Sequence, residues 1–193
     1  MNLEIILVLL YSYILGSIPF GLIFTKIFLK QDIRNVGSGN IGTTNVLRTG
    51  KKSLAFATLL FDILKGYVSV QITMKYFFDL TYFSGLICLI GHIFPVWLKF
   101  KGGKGVATYL GIILSLSFSF GIIFGITWLL ISFFFRYSSL ASMISTLIIF
   151  AYSLILDKTT LSIFLFITFI IILYTHRENI IRLRDSKETK IKL

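Results

Sequence analysis

Residues 105–135 read GVATYLGIILSLSFSFGIIFGITWLLISFFF, a run without a single charge, and the number of times it crosses a bilayer decides the topology of the whole chain. As one helix at ~1.5 Å per residue it would reach about 46 Å, well beyond a ~30 Å hydrocarbon core, yet two full crossings need ~20 residues each. Periodicity alone leaves one crossing and two open, and parity separates them. As a hairpin with its tip near Ser117-Phe118-Ser119-Phe120-Gly121, the run places segments 26–52, 99–104, 136 and 176–193 on one side. These segments hold sixteen of the nineteen Lys and Arg. Lys75 and Lys158 fall on the other side and Lys65 lies inside a span, whereas a single crossing would send the six basic residues after His176 to the opposite face. Loops rich in Lys and Arg stay cytoplasmic. The expected fold is therefore all-α and polytopic, with seven transmembrane helices, the N-terminus outside and the C-terminus cytoplasmic.

The rest of the chain agrees with a membrane setting, being 56% hydrophobic and only 14% charged. Further spans are expected near 5–25, 53–74, 80–98, 137–156 and 159–175. No soluble domain, linker or internal repeat interrupts them, so residues 1–193 read as a single transmembrane domain. The start, Met1-Asn2-Leu3-Glu4, has no basic n-region, and the apolar run that follows is expected to remain as the first span. A net charge of +11 would suit nucleic acid in a soluble protein, but here its distribution reports orientation and no nucleic-acid partner is expected. Cys88, the one cysteine, sits in an apolar run and reads as a small buried hydrophobe.

Chemistry is concentrated where polar segments meet the spans. Gly37-Ser-Gly-Asn-Ile-Gly42 matches G-x-G-x-x-G, but a membrane span precedes it where a dinucleotide fingerprint requires a strand. Its use lies elsewhere: small residues expose N–H donors that can close around a phosphate. Thr44, Asn45 and Arg48 continue the segment at helical spacing, with Thr44 and Arg48 on one face. A guanidinium grips phosphate at two points; Arg48 taken alone reads as an interfacial anchor, and the loop before it turns the reading toward an anion site. The second segment, Gly91-His-Ile-Phe-Pro95 through Gly102-Gly-Lys-Gly105, is not a Walker loop, since Gly105 stands at the Ser/Thr position. Lys99 and Lys101 read as interfacial anchors, and Lys104, between glycines, as a phosphate ligand. Arg136-Tyr-Ser-Ser-Leu-Ala-Ser142 and His176-Arg-Glu-Asn-Ile180 end other spans. Asp62 and Lys65 lie at i and i+3 within a span and are expected to neutralise each other. Two histidines and no dense carboxylate cluster argue against a metal site.

In order and spacing these motifs, together with Gly16-Ser-Ile-Pro-Phe-Gly21 and Phe61-Asp-Ile-Leu-Lys-Gly66, resemble the bacterial acyl-phosphate-dependent glycerol-3-phosphate acyltransferases over nearly the whole chain. Thr43 departs by standing where alanine is usual, and the tail Arg184-Asp-Ser-Lys-Glu188 lacks the glycine often found there. The resemblance implies acyl phosphate and glycerol-3-phosphate as substrates among membrane lipids, no cofactor or metal, and a bacterial inner-membrane location with the site facing the cytoplasm. Protein partners are left open.

Carried over by position, Ser38, Arg48, Lys104, Ser142, His176 and Asn179 are site residues. Lys104, His176 and Asn179 would orient substrate and stabilise charge, with no protein nucleophile. The loop residues Ser38, Gly39, Asn40, Gly42, Thr44 and Asn45, with Lys104, His176 and Asn179, would serve chiefly the acyl-phosphate head, and Arg48 with Ser142 chiefly glycerol phosphate. The departing phosphate could itself accept the hydroxyl proton; His92 or His176 as a general base is the other route. A transporter of an organophosphate anion is the competing class, but such sites favour the midplane between repeated halves, and here the polar motifs gather at one expected face.

Overall fold

The structure, a computed structural model, describes residues 3–156 and 159–191; Lys158, counted above on the outer side, lies outside them. All regular structure among the described residues is helical. The chain divides into two compact units, Met1–Leu116 and Ser117–Leu193.

The first unit contains α1 (Leu3–Ser17), α2 (Phe20–Leu29), α3 (Thr43–Leu47), α4 (Lys52–Tyr76), α5 (Thr81–Ile93) and α6 (Val106–Leu116), with short 3-10 turns at Ile33–Asn35, Phe78–Leu80 and Val96–Leu98. α4 is its hub, packing on α6, α5, α1, α2 and α3, while α1 also lies along α5. Two helix crossings are backbone-close. A Cβ on Gly16 would meet the Cys88 carbonyl and one on Gly91 the Tyr13 carbonyl, so α1 and α5 approach through glycine; Gly66 and Gly111 do the same for α4 and α6. Small residues let helices approach where lipid supplies no hydrophobic drive between them. Hydroxyls complete the contact: Ser84 Oγ lies 2.8 Å from Ser12 Oγ and 3.0 Å from Ser69 Oγ, and Tyr11 bonds Thr73 across α1 and α4.

The first expected span, 5–25, falls within one membrane-length segment, Leu3–Leu29, whose helix is interrupted at Ile18 and Pro19. Proline lacks an N–H and disfavours helix in the residue before it, and Pro19 separates α1 from α2. Carbonyls released in a membrane need other donors. Trp97 Nε1 donates to Ser17 O at 2.7 Å and Lys65 Nζ to Ile18 O at 2.9 Å.

The second unit contains α7 (Phe118–Phe135), α8 (Ser138–Ile155), α9 (Thr159–Thr175) and α10 (Arg177–Arg184), each packed on the next. α7 exposes Leu129, Phe133 and Phe134, an outer surface suited to lipid and not to water. α9 and α10 meet at a 60° bend. Half of α10 is charged, Arg177, Glu178, Arg182 and Arg184, so it departs from the apolar line of α9.

Among the described residues five helical segments are long and apolar enough to cross a membrane, or six with the bent α9–α10 pair. The 105–135 run is interrupted at Ser117, whose backbone is extended (φ −162°, ψ 128°), at the edge of the expected tip. Only its second half crosses by length. At 11 residues α6 spans about 16 Å at ~1.5 Å each, roughly half the hydrocarbon core.

Candidate active site

The polar segment 32–48 is a structured platform. Beneath it Ile33, Ile41 and Val46 are buried with Leu22 of α2 and Ala55 of α4, and Val36 packs against them. Asn45 is its internal tie: Nδ2 donates to the carbonyls of Ile33 (3.1 Å), Val36 (2.9 Å) and Asn40 (2.8 Å), while Oδ1 accepts from Ser38 N at 3.0 Å. Asn40 Oδ1 accepts from Gly42 N at 2.8 Å, and Gly39 N donates to Val36 O at 2.9 Å. The amides of Ser38, Gly39 and Gly42 are thus engaged by the loop itself. Fewer N–H groups face outward than the glycine count suggests, because the loop must satisfy its own backbone before it can hold a ligand.

What the platform presents is a cation. Gly37 has φ +55°, and a Cβ there would press on Asn45 Oδ1 and on the Arg48 side chain, which lies across it. Arg34 is engaged by Asp32, Nε to Oδ1 at 2.9 Å and Nη2 to Oδ2 at 2.6 Å. The Arg34 hydrogen bonds hold the Asp32 carboxyl well below the usual carboxylate range. Arg48, exposed at the end of α3, pairs with no carboxylate among the described residues. Ser38 and Thr44 are exposed beside it in sequence. The Thr43 hydroxyl, the departure noted above, is buried without a partner among the described residues.

Lys104 lies two residues before α6, in a segment tied to the end of α5: Gly102 N donates to Ile93 O at 2.9 Å and Gly103 N to His92 O at 3.1 Å. A Cβ on Gly103 would collide with the His92 ring. His92 is held in turn by the intramembrane pair. Lys65 Nζ forms an ion pair with Asp62 Oδ1 at 2.7 Å and donates to His92 Nδ1 at 2.8 Å and Ile18 O at 2.9 Å. The expected Asp62–Lys65 pair is present and larger than expected. With Nδ1 accepting from Lys65 and the ring against Gly103, His92 is placed as a seat for the Lys104 segment.

In the second unit, Ser142 is buried in α8; its hydroxyl donates to Ser138 O at 2.7 Å and accepts from Trp128 Nε1 at 3.1 Å. To hold a phosphate it would exchange the Ser138 bond. His176 is buried at the α9–α10 bend, and Nδ1 donates to Ile172 O at 2.8 Å. A neutral ring then carries its lone pair on Nε2, and Nε2 donates to an anion only as imidazolium. Asn179, buried in α10, donates from Nδ2 to Glu188 Oε1 at 2.6 Å.

The structure therefore groups Ser38, Gly39, Asn40, Gly42, Thr44, Asn45 and Arg48 on one platform, places Lys104 at a separate anchored segment of the same unit, and sets Ser142, His176 and Asn179 in the second unit. Glu188 escaped the sequence reading. It is one of two acids in the basic tail after α10, with no periodic signal, and its contacts depend on a chain reversal at Ser186, φ +56°.

A multi-pass helical membrane protein with cations, hydroxyls and amides at helix ends is what fold and side chains define: a scaffold for an anionic substrate within reach of lipid. The family model described as Glycerol-3-phosphate acyltransferase matches residues 6–186. Among curated relatives, the glycerol-3-phosphate acyltransferase of Pelagibacter ubique is 50% identical over 99% of this chain and 100% of its own, and that of Mesorhizobium japonicum 47% identical over 99% and 98%. The crystal structure of PlsY (YgiH), an integral membrane glycerol 3-phosphate acyltransferase in its glycerol 3-phosphate form, matches with TM-score 0.93 at 36% identity, covering 97% of this chain and 96% of that one. The chain belongs to the glycerol-3-phosphate acyltransferase family.

Proposed function

We propose that this protein acylates glycerol-3-phosphate in phospholipid synthesis, taking the acyl group from an acyl phosphate and giving lysophosphatidic acid and phosphate. The observation that carries the reading is near-complete structural likeness to a PlsY crystallised in glycerol 3-phosphate and lysophosphatidic acid forms, TM-scores 0.93 and 0.90. Residues 1–193 act as one acyltransferase domain. Arg48, with Ser142, holds glycerol phosphate. Lys104, His176 and Asn179 hold and orient the acyl-phosphate head, with Ser38 and Thr44 of the platform as hydroxyl ligands. Asn45, Asn40, Gly39 and Gly42 serve by shaping the platform, a role favoured by the internal bonds of their side chains and amides.

An acyl phosphate is a mixed anhydride with a good leaving group, so positioning and charge stabilisation suffice. The glycerol hydroxyl oxygen bonds to the acyl carbon, the carbon–oxygen bond to phosphate breaks, and the departing phosphate takes the hydroxyl proton. Purified protein should convert labelled glycerol-3-phosphate to extractable lipid with acyl phosphate and not with acyl-CoA. Comparable turnover with acyl-CoA would reject the donor assignment. His176→Gln should retain measurable turnover; near-complete loss of kcat in the folded variant, with substrate binding intact, would make His176 the base.

The seven-span orientation, with the site cytoplasmic and the protein in the inner membrane, belongs to the same proposal and is supported by the distribution of Lys and Arg. It requires α6 to count as a short crossing. In a Cys88→Ala background, cysteines at Gly39, Lys101 and Lys187 should label from the cytoplasmic side alone. Labelling of position 187 from outside would mean that 105–135 crosses once.

A further inference from the structure

The C-terminal tail is folded into the second unit. After α10 the chain reverses, with Lys187 N donating to Arg182 O at 2.7 Å. It then runs back to the α7–α8 turn, where Ile191 N donates to Arg136 O at 2.7 Å and Arg136 Nε to Ile191 O at 3.2 Å. Between these ties Glu188 points inward, its side chain only 7% exposed. Oε1 accepts from Asn179 Nδ2 at 2.6 Å and from Ser139 Oγ at 2.8 Å, and Oε2 from Arg182 Nε at 2.7 Å. Ser139 lies in the first turn of α8 and the other two donors belong to α10. One carboxylate thus joins two helices through three donors.

We propose that Glu188 is a positioning residue for the acyl-donor phosphate, acting through the Asn179 amide. An asparagine amide has two faces of opposite polarity, and nothing in its own shape selects between them. A carboxylate only accepts, so Glu188 forces Nδ2 toward itself and sets the amide plane, including the direction of the second Nδ2 hydrogen. Charge-assisted bonds are short and strong, and the guanidinium of Arg182 offsets the negative charge that the tail brings toward an anion site. Burial pushes the Glu188 carboxyl up, but the hydrogen bonds from Arg182, Asn179 and Ser139 outweigh it and hold it below the ordinary glutamate range, so the acceptor is ionised whenever the enzyme works near neutrality.

The inference rests on the proposed role of Asn179, and the test separates the two. Glu188→Gln, Asn179→Ala and the double variant are compared as full-length purified protein, reading KM for acyl phosphate, KM for glycerol-3-phosphate and the thermal midpoint. Glu188→Gln should raise KM for acyl phosphate about ten-fold while leaving that for glycerol-3-phosphate within about two-fold, and adding it to Asn179→Ala should have little further effect. If the two losses multiply, or if both KM values shift together, Glu188 is a structural tie and the proposal is overturned. An impaired Asn179→Ala beside a parent-like Glu188→Gln overturns this proposal alone; a parent-like Asn179→Ala overturns the reading of Asn179 as well. Should Glu188→Gln fail to fold, Ser139→Ala loosens the same carboxylate, and the same KM should rise two- to three-fold by this roughly additive logic; an unchanged KM overturns the proposal.

Discussion

Replacing Lys65 by methionine is expected to cost ~3–5 kcal/mol of stability, the usual loss when one partner of a buried ion pair is removed. The substitution strands the Asp62 carboxylate, leaves Ile18 O without its donor and releases Nδ1 of His92, all at a site where the Lys65 and Asp62 side chains are 2% and 3% exposed. At roughly 2–4 °C per kcal/mol for a chain of this size, the thermal midpoint in detergent should fall by about 6–20 °C. The double variant Asp62→Leu/Lys65→Met should lose clearly less, since a buried pair replaced on both sides leaves no isolated charge. Equal losses in the single and double variants would show that charge pairing is not what holds this cluster. Activity should fall with stability in the single variant, because His92 and its carbonyl seat the segment that carries Lys104.

Truncating Arg48 should have the opposite signature, a large loss of activity with little loss of stability. A charge-assisted contact to a phosphate contributes about 1.5–3 kcal/mol, so Arg48→Ala should lower kcat/KM by about 10- to 150-fold. The thermal midpoint should stay near that of the parent, because the guanidinium pairs with no carboxylate among the described residues. Arg48→Lys should remain impaired, since an ammonium cannot reproduce the two-point grip. Lys104→Ala should lose activity on a similar scale, whereas Lys99→Ala, removing an exposed charge, should change it by less than about two-fold. Parent-like activity in Arg48→Ala would remove this residue from the site.

Some of this was readable along the chain. Apolar runs of bilayer length, the density of Lys and Arg after the spans, and the i, i+3 spacing of Asp62 and Lys65 are local properties, and local composition reports them faithfully. The order and spacing of the motifs were enough to point to the family. The same reading treated Ser38, Gly39 and Gly42 as open donors, because a count of small residues does not say which amides the loop consumes. Contacts within the folded loop decided that: Ser38 N is taken by Asn45 Oδ1, Gly39 N by Val36 O and Gly42 N by Asn40 Oδ1.

Sequence by itself determined that this is an all-helical membrane chain, since hydrophobic length is set residue by residue. Tertiary structure alone decided the roles of the polar residues inside it. Lys65 meets Ile18 and His92 across 47 and 27 positions, and Glu188 meets Ser139 across 49. Such contacts have no period to read. They exist because a backbone broken at Pro19 or bent at His176 leaves polar groups that must be satisfied where water is scarce, and the partner that satisfies them is whichever side chain the packing of helices brings within hydrogen-bond reach.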